Sequence, residues 1–588
     1  MKSFKSILLE TKNKIAGIAA APGIVIGEVY LFTKEKLDIN NGSITNIDEA
    51  LDSLDEALRK SKKELTKIFD IAKEKMAAER AAIFEAQMMI LDDPVLIENI
   101  KKRIEKEKRQ PEYIVDDEIS RYQDLMRMSD ELYMSERAHD IEDIKNRIIR
   151  NLQKKRWISK VKNDAIVVSD NLSPSDTILF SRCNVRGFVT DHGGLTSHAA
   201  IISRSLNIPA VVGTHNATQA IKDGDIIIVD GFHGYVIINP TPEQAQFFKL
   251  KIQHLQELQK GLEELKDQPA VTSDGKEIFL RANVDVTGEV DVVITSGAKG
   301  IGLYRTEQLL EEYNEFPTEE EQVRIYTNLA TRIYPDVLTI RAFDIGGDKF
   351  KFMDFKESNP FLGLRGIRLL LENPYLFKTQ IRSVLKASAN KNIQFMLPMV
   401  STLTEVKKAK SLIDECKSEL RKEKCHFDKE IRIGIMMEVP SAAVMAGRFT
   451  KEVSFLSIGT NDLIQYLMAV DRGNDLVSDL YQEFHPAVLN TIQHIVKEAK
   501  KSKTPVSICG EMAADTLAIP LLVGLGLDSL SMSPATIPYA KRIIRKISYQ
   551  KARELADACL ALNTEKEITD EIEKFFKACA ITRTRNLI

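Results

Sequence analysis

The chain has 588 residues, too many for one compact core, so two to four domains are expected. A formal charge of −3, from 82 basic and 85 acidic side chains, gives no bulk attraction to nucleic acid or an anionic bilayer, and no apolar run approaches the roughly 20 residues that cross one. The six cysteines (Cys183, Cys416, Cys425, Cys509, Cys559 and Cys579) form no CxxC pair, which argues against a zinc site or disulfide frame and suits a reducing cytosol.

The opening MKSFKSILLETKNK regains charge at Glu10 and Lys12 and lacks the length and cleavage site of a secretory signal. GIAAAPGIVIGEVYLF then reads as a strand, a Pro-Gly turn and a second strand. From about Ile44 to Gln153 Gly and Pro almost vanish. Ile47, Leu51, Leu54, Leu58, Leu65, Ile68 and Ala72 recur at helical steps, with Ser61 in the one polar slot, as in a long helix packed on other helices. Asp92-Asp93-Pro94 and Arg109-Gln110-Pro111 break the run, so a bundle of about four helices is expected.

AIVVSD, GFVTD, AVVG and DIIIVD, from Ala165 on, are short β-rich runs of a small mixed domain. The N-terminal strands are expected to complete its sheet, which makes the helical block an insertion. EQAQFFKLKIQHLQELQKGLEELKD, after Pro242, is one polar linker helix. Beyond about Gln268 eight runs alternate with helical spans: IFLRANV, GIGLYR, VLTIRAFD, IQFMLPMV, IRIGIMMEV, FLSIGTND, PVSICGE and SLSMS. They predict a (β/α)₈ barrel. The expected class is thus multidomain α/β. Residues 1–34 with 150–240 make one domain, 35–149 the helical insertion, 241–267 the linker helix and 268–588 the barrel.

In TDHGGLTSHAAIISRSLNIPAVVG, Gly193 and Gly194 free the backbone to turn, and Thr196 and Ser197 can cap a helix starting near His198. His198 then sits in a first turn whose free N–H groups and dipole favour an anion. A neutral imidazole there can take a phosphoryl group and pass it on. His192 and His215 lack this setting and read as structural or exposed.

Barrel enzymes hold their chemistry at the carboxyl ends of the strands. Arg305 in GLYRTE, Arg341 in TIRAFD and Arg472 in VDRGND fall at or just past such ends. Arg365 in NPFLGLRGIR lies on the long loop after the third strand, near Lys349 in DIGGDK. Their forked guanidiniums suit phosphate and carboxylate groups. Glu438 in IMMEVP and Asp462 in GTND are hard-oxygen ligands suited to magnesium, or else partners of those arginines. Cys509 ends the seventh strand and is either a proton donor or an inert buried thiol.

Together these motifs, in this order from about Gly17 to the C-terminal region, resemble those of the Enzyme I family of the bacterial phosphoenolpyruvate-dependent sugar phosphotransferase system. The resemblance implies that His198 is the phosphoryl acceptor, with Thr177 of SDTILF as its hydrogen-bond partner. It implies that Arg305, Arg341, Asn461, Asp462 and Arg472 bind phosphoenolpyruvate, that Glu438 and Asp462 hold Mg²⁺, and that Cys509 protonates the enolate to pyruvate. It further implies a swivelling phosphohistidine domain, an insertion that docks the phosphocarrier protein HPr, and a cytoplasmic homodimer formed through the barrel, with no nucleic acid or membrane partner. Leu195 departs from the family's arginine in GGRTSH, and Ser203, Gln308 and Leu364 are milder departures. Pyruvate phosphate dikinase and phosphoenolpyruvate synthase share the histidine domain and barrel, but no Gly-rich phosphate loop for ATP is found here. A nitrogen-linked paralogue would need an extra N-terminal sensor domain, for which no room is expected.

Overall fold

The computed structural model describes residues 13–33, 37–75, 78–127, 132–155, 161–195, 197–313, 316–346, 357, 359–474 and 476–581. The chain divides into two compact units, Met1–Gln256 and Glu257–Ile588.

The first unit holds a mixed sheet of eight strands: β1 (Lys14–Ala16), β2 (Ile18–Ala21), β3 (Ile24–Phe32), β4 (Ile166–Ser169), β5 (Gly187–Thr190), β6 (Ala210–Val212), β7 (Ile226–Asp230) and β8 (Tyr235–Ile238). Their order is β1-β8-β7-β3-β4-β5-β6-β2. β3 pairs with β4 in parallel across the whole helical insertion, so residues 33–165 leave and re-enter one sheet. The central strands are buried along their length, as parallel strands covered on both faces must be.

The insertion contains helices Ile47–Lys75, Ala78–Leu91, Pro94–Glu107, Pro111–Arg127 and Leu132–Leu152. About four helices were expected; residues 76–77, between the first two of these spans, lie outside the described residues. The break at Asp93-Pro94 is a cap: the Asp93 carboxylate accepts the N–H groups of Val95 and Leu96, and Pro94 opens the next helix. Leu54, Ile100, Ile104, Ile114 and Ile148 form the bundle core. Ser61, the polar slot of the seam, is buried and accepts a 2.9 Å hydrogen bond from Asn151 Nδ2, so the slot pins two helices in register. Further along the same helix Leu65, Ile68 and Ala72 pack instead with Ile178 and Ile202, tying the bundle to the helices beside the sheet.

The second unit is a closed barrel of eight parallel strands: β9 (Phe279–Val284), β10 (Ile301–Tyr304), β11 (Leu338–Arg341), β12 (Ile393–Leu397), β13 (Arg432–Met437), β14 (Phe455–Ile458), β15 (Val506–Ile508) and β16 (Ser529–Met532). They are the eight predicted runs in the predicted order, and β16 closes on β9 with Ser529 beside Phe279. Leu303, Met396, Met436, Phe455 and Cys509, one from or just after each of β10 and β12–β15, make an apolar cluster separate from the main core and fill the lumen. Gly434 admits the Phe455 ring, which would lie 2.4 Å from a β-carbon there. The helix Pro242–Glu264 carries the chain from one unit to the other. Among the described residues, no helix is long and apolar enough to cross a membrane.

Gly524, on the helix Ala518–Leu525, marks a close helix approach: a β-carbon would lie 1.9 Å from the Ala552 carbonyl oxygen. Gly524→Val is expected to destabilise the barrel unit by about 1–3 kcal/mol or more. Gly261→Ala, where a β-carbon meets nothing within 4 Å, is expected to be neutral or stabilising by up to about 1 kcal/mol. Differential scanning calorimetry of the two variants checks both.

Candidate active site

At the carboxyl ends of the barrel strands a cleft of about 400 Å³ gathers charge. Arg305 follows β10, Arg341 ends β11, Glu438 follows β13, Asp462 lies in the first turn of the helix Thr460–Met468, and Cys509 follows β15. Asp462 thus meets the positive end of a helix. Gly510 lets that helix start approach: a β-carbon there would fall 1.8 Å from Thr460 Oγ1.

Every cleft arginine has a carboxylate partner. Arg305 Nη1 donates to Asp285 Oδ1 and Oδ2 at 2.8 and 3.0 Å. Arg341 pairs with Glu307 at 2.9 Å and Asp344 at 3.1 Å. Arg365 donates through Nε and Nη2 to Asp344, both at 2.9 Å, and through Nη1 and Nη2 to Asp462, both at 3.1 Å. Arg472 lies 3.6 Å from Glu511. Asn461 joins that pair: its Nδ2 donates to Glu511 Oε1 at 3.0 Å and its Oδ1 accepts the Glu511 N–H at 2.8 Å. Burial alone would lower the affinity of Arg341 for its proton, but the charges of Glu307, Asp344 and Glu438 outweigh it and hold the guanidinium firmly charged. The same balance, with Asp344 and Asp462 as partners, governs Arg365. The Nε–H of Arg341 is buried without an acceptor, an unmet donor in a residue of the cleft wall.

Oxygens of Asp344, Glu438 and Asp462 lie within 4.8 Å of one another. Burial, then the negative charges of Asp344 and Asp462, push the Glu438 carboxyl above its ordinary range, against the pull of Arg341 and the Met399 N–H. Three crowded, buried carboxylates fit a divalent cation in their donor chemistry. With all groups ionised, the described lining holds six carboxylates against four guanidiniums, so its formal charge is −2. The Cys509 thiol, on the cleft floor, is pushed upward by burial, so it stays protonated.

In the first unit the loop after β5 reaches His198, which begins the helix His198–Ser205. Asp191 anchors that loop by accepting from Thr214 Oγ1 at 2.8 Å and from the Thr218 N–H at 3.1 Å. Gly193 takes φ +119°, a conformation that side chains disfavour. Ser197 caps the helix, accepting from the Ala200 N–H at 3.4 Å; Thr196, the other expected cap, lies outside the described residues. Leu195 presents an exposed side chain, while its carbonyl accepts from Arg204 Nη2 at 2.6 Å, so a guanidinium stands at this loop although none comes from position 195. Thr177 is buried on the adjoining helix Pro174–Ser181, donates to the Ser173 carbonyl at 2.9 Å, and keeps its oxygen lone pairs for accepting. His192 is exposed and 3.3 Å from Asp170, and His215 is exposed.

Arg305, Arg341, Arg365, Glu438, Asn461, Asp462, Arg472 and Cys509 therefore line one cleft, while His198 and Thr177 belong to the other unit. Lys349 lies outside the described residues. The sequence reading gave no role to Asp285, Glu307 or Glu511, the partners of three arginines. Glu307 and Glu511 stand within the motifs YRTEQ and CGEMA, and that proximity to strand ends was the available signal.

Models of PEP-utilising enzymes match this chain in three stretches: the N-terminal domain at residues 16–137, the mobile domain at 161–234 and the PEP-binding domain at 259–549. The chain is 40% identical over 569 residues to a phosphoenolpyruvate-protein phosphotransferase of Staphylococcus carnosus (strain TM300), covering 96% of this chain and 99% of that one. It is 39% identical to the protein of that name from Bacillus subtilis (strain 168), over 96% of this chain and 100% of the relative. A solution structure titled Enzyme I (nEIt) is 39% identical, covers 41% of this chain and 99% of its own, and has a TM-score of 0.37. Likeness along 96% of the sequence, with an arginine-lined barrel mouth and a histidine on a capped helix, shows that the chain belongs to the phosphoenolpyruvate-protein phosphotransferases, a family of PEP-utilising transferases.

Proposed function

We propose that the protein transfers the phosphoryl group of phosphoenolpyruvate to its own His198, releases pyruvate, and passes the phosphoryl group to a histidine of the phosphocarrier protein HPr, the first step of sugar uptake by the phosphotransferase system. One observation carries this reading: the chain pairs a histidine at a helix N-terminus with a cleft in which four arginines face three crowded carboxylates.

In this scheme Arg305, Arg341 and Arg472 hold the phosphate and carboxylate of the substrate, with Asn461 and Asp462 beside them. The unmet Nε–H of Arg341 is a donor for a substrate oxygen. Glu438 and Asp462 would hold Mg²⁺, which when bound neutralises charge on the phosphate and the forming enolate. A trianionic substrate entering a cleft of formal charge −2 needs such a cation. Asp344 stays with Arg341 and Arg365, and Arg365 and Lys349 act in support. The neutral His198 imidazole attacks phosphorus, the bond to the enol oxygen breaks, and the enolate leaves. Positioning and fixed charge supply most of the rate. Cys509 gives its proton to the enolate carbon, which commits the step to pyruvate. On the other unit, the helix N-terminus stabilises the phosphohistidine and the Thr177 oxygen accepts from the imidazole.

Nucleophile and cleft lie in different units, so the reaction requires them to meet, and residues 241–267 are the hinge in this proposal. Residues 1–34 with 150–240 are the swivelling domain, 35–149 the HPr-docking insertion, and 268–588 the barrel through which a cytoplasmic homodimer forms.

Incubation with ³²P-labelled phosphoenolpyruvate and Mg²⁺ is expected to label the wild-type protein and leave His198→Ala unlabelled, with tandem mass spectrometry placing the label. Persistent labelling of His198→Ala would sink the scheme. Chelation by EDTA is expected to stop labelling and added Mg²⁺ to restore it. Cys509→Ala is expected to slow pyruvate formation by about 10²-fold or more. Transfer from already phosphorylated enzyme to HPr is expected to proceed unchanged in that variant, as followed by phosphate gel shift.

A further inference from the structure

We infer that Ser457 is a positioning residue for proton delivery, its hydroxyl holding the Cys509 sulfur and stabilising the thiolate left when the thiol proton moves to the enolate carbon. The inference rests on the proton-donor reading of Cys509 given above. Ser457 lies on β14 and Cys509 follows β15, adjacent parallel strands in which Ser457 pairs with Ser507. Two residues on, Cys509 returns to the same lumen-facing side. Ser457 Oγ donates to Cys509 Sγ at 3.3 Å. The sulfur in turn lies 3.6 Å from the Ile458 carbonyl oxygen, which the thiol proton can face. Ser457 is 1% exposed and Cys509 2%, yet only the cysteine lines the cleft. The hydroxyl thus reaches the sulfur from beneath and touches no substrate.

The surroundings say what that contact is for. The sulfur belongs to the apolar lumen cluster with Leu303, Met396, Met436 and Phe455. In such a setting a thiolate finds little water. When the enolate is protonated, the S–H bond breaks and a C–H bond forms at the methylene carbon. The electron pair for that bond comes from the enolate double bond, whose oxygen becomes the pyruvate ketone. The former S–H pair stays on sulfur, and solvent water later returns a proton. A hydroxyl that donates weakly to a neutral thiol donates much more strongly to a developing anion, so the Ser457 contact favours the transfer over the resting state. Charges also act on this sulfur: Glu438 opposes the thiolate, while Arg341 and Arg305 favour it.

The test compares the full-length wild type with Ser457→Ala and Cys509→Ala in single-turnover pyruvate formation from phosphoenolpyruvate and Mg²⁺ between about pH 6 and pH 10, with substrate affinity measured alongside. Ser457→Ala is expected to bind substrate as the wild type does, to form pyruvate about tenfold or more slowly, and to carry the alkaline limb of its rate profile to higher pH. The shift has that sign because losing a donor to the thiolate raises the pH at which Cys509 gives up its proton. A wild-type rate in Ser457→Ala overturns the inference, and so does a slower rate with an unmoved alkaline limb, which would mark a packing role. If Cys509→Ala itself forms pyruvate at the wild-type rate, the proton-donor reading fails and this inference falls with it. If Cys509→Ala is slow and Ser457→Ala is not, only the role of Ser457 is lost.

Discussion

Three buried carboxylates crowd together at the mouth of a closed barrel, and one guanidinium bridges two of them. Arg365 reaches both oxygens of Asp344 and both oxygens of Asp462. Without that bridge, like charges within 4.8 Å of one another and out of water would repel strongly enough to protonate one of them or to splay the loops that carry them. Glu438, which lacks such a forked partner, bears the strain and is pushed upward. The cleft is therefore preorganised by internal ion pairs before any ligand arrives. Its cations hold their geometry because carboxylates from other strand ends fix them, so a substrate meets donors already aimed, at little cost in reorganisation. Truncating any of Arg341, Glu307, Asp344, Arg365, Asp462 or Glu438 would strand a buried charge, which makes these six groups one unit rather than a set of independent contacts, whereas the pairs of Arg305 and Arg472 are more exposed.

The barrel supplies the other half of that arrangement. Four large side chains and the Cys509 thiol, one from or just after each of β10 and β12–β15, close the lumen below the charged mouth. Charge above and hydrocarbon below place Cys509 at a boundary. Its burial keeps the proton on sulfur, while the cleft gives the sulfur access to whatever binds above it. An open or water-filled lumen would solvate the thiolate and weaken each ion pair overhead, since both effects scale with the local dielectric. Gly434 and Phe455 show how the lumen closes: one position gives up its side chain so that a ring from the neighbouring strand can fill the space.

What the sequence showed and what it hid divide along the same line. The eight barrel strands were legible because each is a short apolar run bounded by breaks, and the cleft arginines because they fall at the ends of those runs. Side-chain pairing was the least legible layer. Arg365 and Asp462 are 97 residues apart, Ser457 and Cys509 are 52 apart, and Ser61 finds Asn151 across 90 residues. Such partners meet only once strand order and register exist, and nothing local in the chain announces them. Ser61 read as a gap in an apolar seam, whereas the structure makes it a hydrogen-bonded pin.

Under the proposed reaction, a histidine on a different unit from the cleft answers a conflict set by the electrostatics of the cleft itself. In the proposed scheme the four guanidiniums together with a bound cation hold the phosphate at the mouth; they would also hold a phosphohistidine formed there, and an acceptor fixed there could not present its cargo to another protein. A separate unit removes that conflict, provided its own site stabilises the phosphoryl group less strongly. The described part of the first unit places few cations at that site. It offers one helix N-terminus and, on the described part of the loop from Asp191 to Ser197, no lysine or arginine side chain. The guanidinium that does stand there, Arg204, already spends two of its donors on the carbonyls of Ala20 and Leu195. In the proposed reaction, a weaker hold on the phosphoryl group at His198 and a stronger hold on the substrate in the barrel would be two sides of one requirement. In that scheme the group leaves the cleft once the enolate is quenched and has to stay transferable afterwards.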